Sequence, residues 1–149
     1  MRAITITVIL LATLLVGAGT SFAESTNMDT SSLQPAGLQQ LIDRHFAIWN
    51  TPDAAERSAR YAAVYTPDFF VADHNGISVG YGPVGAAISH VQEAHPGFIF
   101  TPAPVEWNHG IARVTWGYGP KENPDLVRGE DVFTVRDGKL ASARVFLSK

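Results

Sequence analysis

Cysteine is absent from the 149 residues. That absence removes disulfides, thiolate metal sites and cysteine nucleophiles together. The five histidines show no His-Glu-x-x-His or comparable ligand spacing, and no carboxylate cluster accompanies them, so the sequence implies no metal and no cofactor. Basic residues form no run. With 11 Lys and Arg against 14 Asp and Glu, the formal net charge is −3, which argues against nucleic acid as a partner. Gly80-Tyr81-Gly82 and Gly117-Tyr118-Gly119 lie outside any phosphate-loop context, and there is no Gly-x-Ser-x-Gly elbow for a nucleophilic serine. Repeats and low-complexity segments are also missing, and no uninterrupted apolar run reaches the ~20 residues that a membrane span needs.

What is present bounds the architecture. The length suits one domain, since a second would lack a core. Met1-Arg2, an apolar run from Ala3 to Val16 and the small residues ending Ser21-Phe22-Ala23 have the three parts of a secretory signal peptide. Residues 1–23 are therefore expected to be removed on export to the periplasm or the medium, with no stable membrane insertion afterwards. Residues 24–34 read as a flexible lead-in, and residues 35–149 as the folded domain.

Pro35 is placed to open a helix in which Leu38, Leu41, Ile42, His45, Ile48 and Trp49 recur on one face. His45 falls on that buried stripe, where a core role and a site role are both open. Thr51-Pro52-Asp53 reads as a cap and first turn for a second, Ala-rich helix running to about Val64. Thr66-Pro67 breaks it, and Phe69 to His74 reads as a strand in which Asp73 and His74 point to opposite faces, so at most one of them enters a pocket. A short strand from Ile77 to Gly80 precedes a third helix carrying Val84, Ala87, Ile88 and Val91. Long strands follow from Phe98 to Trp107 and from Ile111 to Tyr118, around a turn at Asn108-His109-Gly110. Pro102 and Pro104 cannot donate ladder hydrogen bonds and mark an edge or a bulge.

The chain closes with two β-rich runs, Val127 to Arg136 and Lys139 to Leu147, around Asp137-Gly138. Asp-Gly serves as a two-residue loop or ends a three-residue loop with Gly in the bulge position. The three-residue loop sets Asp131 opposite Ala143 and Phe133 opposite Ala141, and it gathers Phe133, Val135, Ala141, Ala143, Val145 and Leu147 on one face, so it is the register expected. Asp131 then stands alone among apolar neighbours. It is either a structural carboxylate satisfied by local donors or a functional one. In the second case burial should favour its neutral form, and an Asp131→Leu replacement should be neutral or stabilising.

The element order, together with LIDRHFAIWN, DFFVADHNG and GEDVFTVRDGKLASARVFL, resembles the nuclear transport factor 2-like superfamily, and within it the SnoaL-like polyketide cyclases and ketosteroid isomerases. The resemblance spans about Leu38 to Leu147. It implies an α+β fold in which a curved antiparallel sheet of about six strands wraps around three helices as a cone with an apolar pocket, commonly in a homodimer. Carried over by position, the isomerase carboxylate that donates a hydrogen bond to the substrate oxygen falls on Asp131, and the general-base aspartate on Asp73. The isomerase tyrosine of the first helix is replaced by His45. Trp49, Phe69, Val91, Trp116, Tyr118, Phe133 and Ala143 are the expected pocket lining. The function so implied is proton transfer next to a carbonyl of a small apolar substrate, as in an isomerase or cyclase. The alternatives are a non-catalytic protein that binds a small apolar molecule, and a dimerising interaction module whose outer sheet face, with Val132 and Phe146, meets a partner.

Overall fold

Capping and turn residues decide where each element begins. The computed structural model describes residues 33–148. The leader expected at residues 1–23 lies outside the described residues, as does the lead-in up to residue 32. Helix α1 (Leu38–Trp49) starts behind Gly37, whose left-handed backbone (φ 77°) turns the chain, and it buries Leu38, Leu41, Ile42, His45 and Ile48. This is the stripe that a 3.6-residue period produces. Asn50 then ties the helix end to the sheet: its side chain donates to the Phe100 carbonyl at 2.9 Å and accepts from the Phe100 amide at 2.7 Å.

Helix α2 (Ala54–Val64) is capped by Asp53, whose carboxylate accepts from the Glu56 amide at 2.7 Å. The cap was expected at Thr51, but the Thr51 hydroxyl turns back to donate to the Ala47 carbonyl at 2.7 Å and is not available. Helix α3 (Tyr81–Ala94) follows two strands later and buries Val84 and Ile88. Arg57 of α2, 1% exposed, joins the helices. Its guanidinium donates to the carbonyls of Thr51 (2.9 Å) and Pro52 (2.7 Å), to Gln92 Oε1 (3.0 Å) and to Ser89 Oγ (2.6 Å).

The strands β1 (Tyr65–Asp73), β2 (Gly76–Val79), β3 (Ile99–Pro102), β4 (Glu106–Asn108), β5 (Ile111–Gly119), β6 (Val127–Arg136) and β7 (Lys139–Leu147) form one curved, unclosed sheet. Its order is β2-β1-β7-β6-β5-β3, with β4 also on β5. The α+β cone expected from the sequence is the observed architecture. One detail differs: β1 and β7 run parallel, so the sheet is mixed. β1 also starts earlier than Phe69, and its pairing with β7 shifts between Tyr65 and Phe70, where Pro67 lacks the N–H that a regular ladder would use. Pro102 and Pro104 mark the place where the expected Phe98–Trp107 strand divides into β3 and β4.

The closing hairpin departs from the expected register. Arg136 pairs with Lys139 across a two-residue turn in which Asp137 (φ 53°) and Gly138 (φ 72°) are both left-handed, the geometry that matches strand twist. The bulge lies in β7 instead: Thr134 pairs with Ser142 and Val135 with Leu140, leaving Ala141 as the extra residue. Asp131 is therefore opposite Val145, and Phe133 opposite Ala143. The net displacement is two residues, so the faces are preserved and Asp131 keeps its apolar company. The gain is Leu140, fully buried on the core side in place of the smaller Ala141, worth roughly 1.5–3 kcal/mol.

Candidate functional site

The sheet places Asp131 on its concave face, with Val114 of β5 opposite on one side and Val145 of β7 on the other. Trp116 is the next inward residue along β5 and pairs with Gly129. Its indole lies directly over that glycine, where an added Cβ would be 2.4 Å from Trp116 Cζ2 and 2.8 Å from the Phe146 carbonyl oxygen. The missing side chain lets the ring reach diagonally, and Trp116 Nε1–H donates to Asp131 Oδ1 at 2.8 Å. From the opposite side α1 brings His45, whose Nε2 is 3.7 Å from Asp131 Oδ2. His45 Nδ1 is 2.9 Å from the Tyr65 hydroxyl. His45 is 1% and Asp131 6% exposed. The stripe and the strand face thus converge on a buried imidazole–carboxylate pair, held at one end by Tyr65 and at the other by Trp116.

Burial pushes the Tyr65 phenol well above its usual 10.0, the neighbouring Tyr61 and Asp131 add to the rise, and the Trp49 indole opposes it without reversing it. Tyr65 is therefore a hydroxyl group at any physiological pH. The Trp49 Nε1–H is itself buried and has no hydrogen-bond partner among the described residues.

His45 and Asp131 form the closed end of a cavity of about 640 Å³. Its walls are largely apolar, from Val71, Val91, Phe100, Val127 and Val145, and the exposed His74, His90 and His95 line its open side. A volume of this order suits a small organic molecule of the size that pockets of roughly 300–1,000 Å³ usually enclose. Of the expected lining, Trp49, Val91, Trp116, Tyr118 and Ala143 are on the cavity wall. Phe69 and Phe133 are not. Both are fully buried and pack behind His45, with the Phe133 ring 5.0 Å from the imidazole, so they support the site from the core and do not face the cavity.

Asp73 also lines the cavity, on the side away from bulk core, but its carboxylate is engaged. Oδ1 accepts from the amides of Asn75 (2.8 Å) and Gly76 (3.1 Å), and Oδ2 lies 3.3 Å from Asn75 Nδ2. This is a turn-forming role that joins β1 to β2. His74 lines the cavity as well, contrary to the expectation that at most one of the two would. β1 ends at Asp73, so His74 sits in the turn, where strand alternation no longer applies. Among the described residues no three His, Asp or Glu side chains gather in a way that would hold a metal ion.

Tyr65, Gly129 and the hydrogen bond from Trp116 were not anticipated. Pro67 hid the start of β1 and with it Tyr65, while the contact over Gly129 depends on the pairing of β5 with β6, which local pattern does not specify.

No family model matches the chain, and no curated protein matches it. Solved structures do. A SnoaL-like family protein from Agrobacterium tumefaciens, assigned as an isomerase, is 20% identical over 74% of this chain and 96% of its own, with a TM-score of 0.68. A Sinorhizobium meliloti protein assigned as a polyketide cyclase is 18% identical over 76% of this chain and 99% of its own, TM-score 0.60. A de novo designed protein with a curved β-sheet is 14% identical over 78% of this chain and 88% of its own, TM-score 0.61. A designed chain among the matches makes plain that such likeness speaks for architecture and not for chemistry. The chain has the nuclear transport factor 2-like fold, in the form shared by SnoaL-like proteins.

Proposed function

We propose that this protein encloses a small apolar molecule and transfers a proton next to its carbonyl group, as an isomerase or cyclase does. The observation that carries the reading is the buried His45–Asp131 pair at the closed end of an apolar cavity. Buried ionisable pairs are expensive to keep, and in a cleft they are where acid–base chemistry is sought first. The solved structures assigned as an isomerase and a polyketide cyclase support the same class. In the step proposed, a hydrogen on the carbon beside the carbonyl passes to Asp131 Oδ2, and the electron pair of the broken C–H bond moves onto the carbonyl oxygen. His45 Nε2, on the same side of the cavity, stabilises that oxygen as charge develops. Returning the proton to a different carbon completes an isomerisation; attack of the enolate carbon on a second carbonyl, whose π electrons move to its oxygen and take the proton from Asp131, completes a cyclisation. This reading moves the base from Asp73 to Asp131, because the carboxylate of Asp73 is already bound by two turn amides.

That engagement of Asp73 also favours a second reading, a pocket that binds without turnover. Export behind Ala23 and a homodimer through the outer face of β6 and β7, where Phe146 is 54% exposed beside Val132, belong to the same proposal. The occupancy of the cavity is tested by native mass spectrometry of the purified protein, followed by denaturation and titration with 2-tetralone. A carried-through carbonyl compound, or saturable tetralone binding, supports a ligand pocket. An empty protein that binds no small ketone or other apolar molecule overturns both readings and leaves the interaction module.

A further inference from the structure

His45 can present either a hydrogen or a lone pair to the cavity, and the groups behind it decide which. The Tyr65 hydroxyl is fully buried, and His45 Nδ1 at 2.9 Å is its hydrogen-bond partner among the described residues. Were Nδ1 protonated, Tyr65 would have to accept there, and its own hydrogen would be buried with no acceptor. In the neutral ring that form has a second defect, because the lone pair of Nε2 would then face the Asp131 carboxylate at 3.7 Å. With Nδ1 unprotonated both defects vanish. Tyr65 donates to Nδ1, and Nε2 carries a hydrogen directed at Asp131.

We infer that Tyr65 is a positioning residue that fixes the tautomer of His45, so that Nε2–H and not a lone pair faces Asp131 and the cavity. The closed end then offers a donor, Nε2–H, beside an acceptor, Asp131 Oδ2. That arrangement is complementary to a carbonyl oxygen whose neighbouring carbon bears an acidic hydrogen. An ammonium group, which offers only donors, meets Nε2–H as a neighbour of like polarity. This consequence for the ligand rests on the proposed function, whereas the tautomer does not and is measured without any substrate.

The test is long-range ¹⁵N–¹H correlation NMR of the full ¹⁵N-labelled protein at about pH 8, above the ordinary titration range of histidine. The expected spectrum shows His45 Nδ1 unprotonated and Nε2 protonated. A protonated Nδ1, whether in the other tautomer or in an imidazolium, overturns the inference. Tyr65→Phe should turn the single tautomer into a mixture while the other four histidines keep their signals. A pure Nε2–H form surviving in that variant would show that Asp131 alone sets it and that Tyr65 has no such role. Should Tyr65→Phe not fold, Asp131→Asn poses the question from the other side: with Tyr65 in place the Nε2–H tautomer persists, and its loss there overturns the assignment.

Discussion

Replacing Asp131 separates the contacts of the buried pair from its chemistry. The carboxylate accepts from Trp116 at 2.8 Å and faces His45 at 3.7 Å. In Asp131→Asn the amide oxygen can still accept from Trp116, and a charge-assisted bond becomes a neutral one, at a cost of roughly 1 kcal/mol. In Asp131→Leu the buried Trp116 N–H loses its acceptor, at roughly 1–3 kcal/mol. The apolar side chain returns roughly 1.5–3 kcal/mol through burial. The Leu variant should therefore stay within about 2 kcal/mol of wild type, a change in Tm of no more than about 8 °C for a domain of this size. That agrees with the outcome the sequence attaches to a functional Asp131, although the sequence could not show the Trp116 donor. Urea titration of wild type, Asn and Leu proteins at neutral pH, checked for a constant slope, measures it. A Leu variant less stable than wild type by about 4 kcal/mol or more would refute that reckoning and make Asp131 a structural anchor.

Further outcomes follow from single contacts. Gly129→Ala should displace the Trp116 ring, since its Cβ would sit 2.4 Å from it; the loss is about 1–3 kcal/mol in denaturant, and the Trp fluorescence shifts with it. Arg57→Ala strips the carbonyls of Thr51 and Pro52 of a buried partner and should cost roughly 1–3 kcal/mol by thermal melt for each buried acceptor left unpaired, whereas an exposed-site change such as Arg44→Ala should cost almost nothing. Stability should decline in alkali: the Tyr65 phenol is raised in the folded state, so its contribution is complete below its unfolded value near 10.0 and is lost as pH climbs beyond it. Tyr65→Phe should flatten that decline in a pH series of melts. Light scattering at micromolar concentrations should give a dimer mass that Phe146→Glu reduces to a monomer.

Periodicity made much of this legible. The stripe on α1 announced His45 as an inward residue, and alternation in β6 announced Asp131, because both signals are local and repeat several times. Arg57 was legible too, in retrospect: Arg57, Tyr61 and Val64 fall at helical spacing and are the buried positions of α2, but a charged residue on such a stripe is easily counted as solvent-facing. Pairing across the sheet was not legible. Asp137-Gly138 allows two loop lengths, and the choice was made by Leu140, whose burial only the packed core rewards. The parallel pairing of β1 with β7 joins segments some seventy residues apart with no local mark. The Trp116–Asp131 bond needs that long-range register together with the bare backbone of Gly129. His45 and Asp131 could thus be named one by one from the sequence, while the partners that define their chemistry could not.

The most direct test of the central claim is the rate at which deuterium from D₂O enters the carbon beside the carbonyl of small apolar ketones, 2-tetralone first among them, with the protein at saturation. Wild type should exceed buffer by at least about 10²-fold, the usual range for a positioned acid–base group, and His45→Gln and Asp131→Asn should both fall to background while Asp73→Asn retains most of the rate. Exchange in wild type no faster than in Asp131→Asn, with ketone binding intact in both, would contradict the account.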